Sequence, residues 1–150
     1  MMLRQSIDIR APATVIYDVA HDVSRWASLL PHYRYVRVLE RNGDDDCVCV
    51  MAARRNFVPV RWTAAVHLLP QIPRIEFTHI GGPTTGMRVA WIFDPIRQGT
   101  RLTICHDMAL LRRPLVRTAL GSQIAARVFI EPIASRTLAC IKALAEERHG

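Results

Sequence analysis

The chain has 150 residues, half of them hydrophobic and 22% charged. That length suits one domain with a substantial core, spanning 1–150, and that balance excludes a disordered chain. Lys+Arg total 20 against 13 Asp+Glu, a net charge of +7, but the basic residues are scattered arginines with a single lysine, Lys142. No nucleic acid is expected from so dispersed a charge, whereas an acidic partner or an anionic membrane surface fits it.

The opening "MMLRQSIDIRAP" lacks the apolar core of a signal peptide, and no apolar run reaches membrane-spanning length, so a soluble cytoplasmic protein is expected. Residues 6–10 alternate as a strand. Pro12 suits the first turn of a helix over 13–20, with Val15, Ile16 and Val19 toward the core. Asp22 can cap a second short helix carrying Trp26, Leu29 and Leu30, which Pro31 ends.

The period then changes to two. Strands are predicted over 33–40, 47–55, 57–69, 74–80, 86–94 and 100–110, with a turn at Asn42-Gly43-Asp44 and a linker over 95–99. Pro59 suggests an edge position or a bulge. Residues 119–147 return to helical spacing, with Ile130, Ile133, Ala134, Leu138, Ile141 and Leu144 on an apolar face. Pro132 predicts a kink there. Strand, two short helices, six strands and a long helix make an antiparallel sheet with helices on one side.

Gly81-Gly82-Pro83 precedes an apolar run, as phosphate-binding loops do. The residues after Gly86 alternate, with Met87, Val89, Trp91 and Phe93 on one side, so a strand follows where a phosphate loop needs a helix. The glycines mark a turn. Cys47-Val-Cys49 is neither a redox pair nor a finger spacing, and reduced thiols are expected. Adjacent Cys105 and His106 point to opposite faces of a strand and cannot easily share an ion. No metal and no cofactor are expected.

The apolar parity of each strand turns Trp62, Phe77, Met87, Trp91, Ile104 and Met108 inward, with His79 and His106 among them. An inward histidine is either satisfied within the core or a polar group facing a ligand. Tyr35 and the pair Arg54-Arg55 have ambiguous parity, and Tyr35 is a further candidate for the ligand-binding wall. Leu120, Ile124 and Val128 of the terminal helix are candidates for the same wall.

The stretch "IDIRAPATVIYDVAHDVSRWASLLPHYRYVRVLE", then "GMRVAWIF", "GTRLTICHDM" and the terminal helix resemble the START/Bet v 1-like superfamily. More narrowly, residues 5–147 resemble its polyketide cyclase/dehydrase and lipid-transport group, which includes coenzyme Q-binding relatives. The resemblance implies an α+β helix-grip fold. A curved seven-stranded antiparallel sheet would wrap a long C-terminal helix around an apolar cavity, with two short helices after the first strand.

It implies binding of a hydrophobic or aromatic small molecule and, as one function, metal-free cyclisation or aromatisation of a polyketide-type substrate. His79 and His106 would then move protons, and Arg55 would stabilise enolate charge. A non-catalytic carrier or chaperone for a quinone, isoprenoid or lipid is the alternative, and an interaction module with a filled core is a third. The segment after His106 would form the mouth, where Arg112, Arg113 and Arg117 could meet an acyl carrier protein or an anionic surface. Monomer and homodimer both remain open.

Overall fold

The structure is a computed structural model describing residues 1–112 and 118–150. Strand β1 (Met2–Ile9) leads to helix α1 (Ala13–Ala20) and the short α2 (Trp26–Leu29). Six strands follow: β2 (Tyr33–Asn42), β3 (Asp46–Arg55), β4 (Val58–Leu69), β5 (Arg74–Gly81), β6 (Arg88–Ile96) and β7 (Gly99–Asp107). The chain closes with α3 (Ala119–Ala125), a π-helical turn (Ala126–Ile130) and α4 (Glu131–His149). The strands form one antiparallel seven-stranded sheet in the order β1-β7-β6-β5-β4-β3-β2. Among the described residues, no helix is long and apolar enough to cross a membrane.

Local chemistry explains the boundaries. The Pro12 carbonyl accepts from Val15 and Ile16 N–H at the start of α1. Asp22 Oδ1 accepts from Ser24 N–H and so caps a 3₁₀ turn (Val23–Arg25) that runs directly into α2. The first strand begins at Met2, earlier than the alternation from Ser6 suggests, because β7 pairs with its whole length from Met2↔Asp107 to Ile9↔Thr100. The expected linker at 95–99 is largely strand, since β6 runs through Pro95 and pairs Ile96 with Gly99.

Pro59 sits on an interior strand, yet β4 first meets β5 at Thr63↔Gly81. Opposite Arg54, Pro59 therefore has β3 on one side only, and its missing N–H breaks no ladder toward β5. The long terminal helix is interrupted where Pro132 predicts it. Pro132 has no N–H for the preceding turn, and the π turn ends just before it. Beyond it, α4 buries Ala134, Thr137, Leu138, Ile141 and Ala145 against the sheet. Gln5 Nε2 donates to Ser135 Oγ at 2.8 Å, Lys142 Nζ to Asp8 O at 2.7 Å and Arg10 N–H to Glu146 Oε2 at 2.8 Å. These bonds tie α4 along the β1 edge.

Candidate functional site

The sheet register sets the inner wall beneath α4. Phe77 on β5, Val89 on β6 and His106 on β7 share one row, and Ile75, Trp91 and Ile104 share the next. His79 lies two residues beyond Phe77, where Gly86 N–H donates to its carbonyl and its own N–H donates to Met87 O. Gly86 makes that turn possible. Its φ is +99°, and a Cβ there would stand 1.9 Å from Leu110 O.

The wall encloses a cavity of about 90 Å³ lined mainly by Trp62, Phe77, Met87, Val89, Trp91 and Ile104, with His79 and His106 among them. Met51 and Val60 join from β3 and β4, and Phe129, Ile130, Ile133, Ala134 and Thr137 close it from the terminal helix. Trp26 and Tyr33 also line it, and Trp26 explains its small size. The indole is 2% exposed and packs at ring-centroid distances of 5.2 Å from Tyr33, 5.6 Å from Phe77 and 5.3 Å from Trp91. Its Nε1–H donates to Ala20 O at 2.9 Å, which fixes the ring in place. An apolar cavity of about 150 Å³ admits one benzene-sized ring, so the inner chamber alone is smaller than that. Trp26 thus takes up part of the space expected between rod and sheet.

The polar groups form two poles. On the sheet, His79 Nδ1 and Thr84 Oγ1 share a hydrogen bond of 2.7 Å. The His79 ring stacks on Trp62, with centroids 5.6 Å apart and planes 4° from parallel. Burial, with His106 adding to it, holds the His79 imidazolium at a pKa of about 3; burial alone holds His106 at about 4. Both rings are neutral near pH 7, and the buried His106 Nδ1 has no partner among the described residues. On the helix, Thr137 Oγ1 donates to Ile133 O and therefore accepts from His32 Nε2, 2.7 Å away. That fixes the His32 tautomer with its proton on Nε2. Burial, aided by the Arg136 charge, lowers His32 to about 4.

A second apolar space of about 620 Å³ adjoins the first and shares Val60, Thr84, Phe129 and Ile130 with it. It opens between Pro59 and Arg61 of β4, Pro83 of the β5–β6 turn, and Leu120 and Ile124 of α3. Leu120 and Ile124 thus line this vestibule, while Trp62, Phe77, Met87, Trp91, Ile104 and both histidines line the inner chamber.

Four candidates fall outside the walls. Tyr35 is on the outer face, because a register shift between Tyr33 and Tyr35 reverses the parity of β2 and brings Tyr33 inside. Arg55 has inner parity but stands at the β3–β4 hairpin, paired with Val58, past the end of the cavity. Met108 is buried beyond the end of β7, where its N–H donates to Met1 O. Val128 is displaced by the π turn, whose extra residue brings Phe129 and Ile130 to the wall instead. Of the expected mouth arginines, Arg112 is exposed, its backbone N–H donating to Thr85 O, and Arg113 and Arg117 lie outside the described residues. Trp26, Tyr33, Thr84 and Thr137 escape a parity reading. The proximity of Thr84 to His79 across a glycine turn was the one available signal.

Residues 9–128 match the family described as polyketide cyclase / dehydrase and lipid transport. The chain is similar in structure to the Zhui aromatase/cyclase from Streptomyces sp. R1128, with a TM-score of 0.81 at 20% identity over 99% of this chain and 94% of that one. It is also similar to the di-domain ARO/CYC StfQ of the steffimycin biosynthetic pathway, with a TM-score of 0.83 at 21% identity over 98% of this chain and 51% of that one. A START superfamily protein from Mycobacterium smegmatis gives 0.66 at 16% identity, covering 99% and 96%. These likenesses establish the helix-grip, Bet v 1-like fold. No curated protein matches the sequence. The chain belongs to the polyketide cyclase/dehydrase and lipid transport family.

Proposed function

We propose that this family member binds a hydrophobic small molecule whose bulk occupies the vestibule and whose leading end reaches the inner chamber, and that it cyclises or aromatises a polyketide-type chain on the vestibule side of the two histidines. The observation that carries the reading is a pair of neutral histidines where the vestibule meets the inner chamber, His79 bonded to the Thr84 that lines both spaces and His106 close beside it. Apolar burial at about 25 cal/mol per Å² supplies affinity, and the few polar groups set orientation.

A carbon between two ketones is acidic enough for a neutral imidazole to act on. The free imidazole nitrogen takes the C–H proton, leaving an enolate beside an imidazolium. The enolate carbon bonds to a second carbonyl carbon, and the proton returns to the alkoxide so formed. Loss of that hydroxyl with a neighbouring hydrogen releases water and gives the unsaturated ring. Burial weakens the histidines as bases, but the developing enolate charge restores their basicity as it forms. Walls that fold the chain contribute by holding carbon and carbonyl in attacking geometry. With Arg55 away from the chamber, the enolate charge would be met by the new imidazolium and by the Thr84 hydroxyl.

The test is turnover of a thioester-linked poly-β-ketone mimic by the wild type and by the His79→Asn/His106→Asn double variant. A loss of about 100-fold or more is expected; an unchanged rate overturns the assignment. A carrier role is the second reading, favoured by the absence of any charged side chain among the described lining residues of the inner chamber. A quinone or isoprenoid that co-purifies intact and is returned unaltered would establish it.

A further inference from the structure

The vestibule opens beside apolar side chains that the core leaves uncovered. Phe57 is 97% exposed at the β3–β4 hairpin, next to Asn56 in the left-handed region at φ +54°. Val58 follows it at 46%, and across the opening Leu120 and Ile124 are 71% and 53% exposed. Single exposed apolar residues need no explanation, but a set that rims one opening does.

The charges near this opening have one predominant sign. Arg54 and Arg61 flank the hairpin, and Arg112 is held against the β5–β6 turn through its backbone bond to Thr85 O. Asp107, at the same end of the sheet, is engaged, its Oδ1 accepting from Ala109 N–H. Asp44, Asp45 and Asp46 sit at the other end of the ten-residue β3 hairpin partner, about 30 Å away at the usual strand rise. The molecule therefore carries basic, apolar features at its mouth and an acidic cluster at the far end.

We propose that the mouth docks onto an anionic membrane surface, with Phe57 entering the lipid interface and Arg54, Arg61 and Arg112 meeting the headgroups. An acidic protein would match the arginines alone. The protruding phenyl ring is matched by a lipid interface, where aromatic and apolar groups gain by burial while arginines stay at headgroup level. In this orientation the vestibule faces the bilayer, so an apolar ligand passes between lipid and cavity without crossing water.

The proposal concerns the rim alone, whatever reaction or carriage the cavity performs. The experiment is co-sedimentation of the ligand-free protein with phosphatidylcholine vesicles and with mixed phosphatidylcholine–phosphatidylglycerol vesicles. Binding to the mixed vesicles is expected, weakened by salt. Phe57→Ser should weaken it about tenfold and Arg54→Ser roughly fivefold. Phe57→Trp should bind and shift its emission to the blue when vesicles are added. No binding to mixed vesicles, or binding indifferent to both Phe57→Ser and Arg54→Ser, overturns the proposal. So does a Phe57-dependent dimer that ignores vesicles, which would make the rim a self-association surface. Because no ligand is present, failure here leaves the cavity chemistry standing, and failure of turnover leaves the docking result intact.

Discussion

Replacing Trp26 with alanine should both destabilise the protein and enlarge its chamber. The indole is 2% exposed, contacts three aromatic rings and donates to Ala20 O. Truncating a buried tryptophan costs about 3–5 kcal/mol. The three ring pairs and the lost hydrogen bond put this site toward the upper end, since each pair contributes about 0.5–1.5 kcal/mol and the bond about 1 kcal/mol. A single leucine truncation can leave a cavity of about 150 Å³. Removing the larger indole beside the existing chamber of about 90 Å³ should therefore admit a benzene-sized probe that the wild-type chamber excludes. Urea unfolding with and without benzene reads both effects. Benzene at ten times its Kd for the new space should stabilise Trp26→Ala by about 1.4 kcal/mol more than it stabilises the wild type, whose vestibule is common to both. A loss under about 1 kcal/mol, or no benzene effect on the variant, would refute the view that this side chain fills the chamber.

The stability of the wild type should fall with pH below about 6.5. His32, His79 and His106 have folded-state values of about 4, about 3 and about 4, all below the ordinary 6.5. Between those limits the unfolded chain holds more protons, so the stabilisation is complete above pH 6.5 and is lost as pH falls toward 4 for His32 and His106 and toward 3 for His79. Each histidine should contribute a slope approaching about 1.4 kcal/mol per pH unit, and His106→Asn should remove close to one third of the total in urea titrations at successive pH values. Gly86→Ala should cost about 3 kcal/mol, because alanine is strained at φ +99° and its methyl would collide with Leu110 O; thermal unfolding measures it. Thr84→Val should leave the fold intact but free His79 Nδ1, and its imidazole ¹⁵N shifts should move while those of His67, paired with Asp46 on the surface, stay fixed.

The sheet was legible because its strands are covered on one face. Alternation through Val89, Trp91 and Phe93, or Leu102, Ile104 and His106, reports which side meets the helix, and those residues are buried as the parity requires. The same rule left β2 open, since both sides of that strand are mixed, and the register shift after Tyr33 that sets the facing residue leaves no mark in the composition. Arg55 shows a second limit. Parity gives the face of a strand but not how far along it the cavity extends. Trp26 shows a third, since a helix of four residues has too little periodicity to reveal that its indole reaches across the core. Pro132 signalled an interruption of the terminal helix, but not that a π turn would exchange Val128 for Phe129 at the wall.

Histidine-selective ¹⁵N-labelled protein titrated with a hydroxylated naphthoquinone tests most directly whether the path from vestibule to chamber receives a ligand. Saturable shifts of His79 and His106, with His67 unmoved, are the predicted result. Saturation of the probe with both buried rings unchanged would contradict it, because the ligand would then be bound without reaching the histidines.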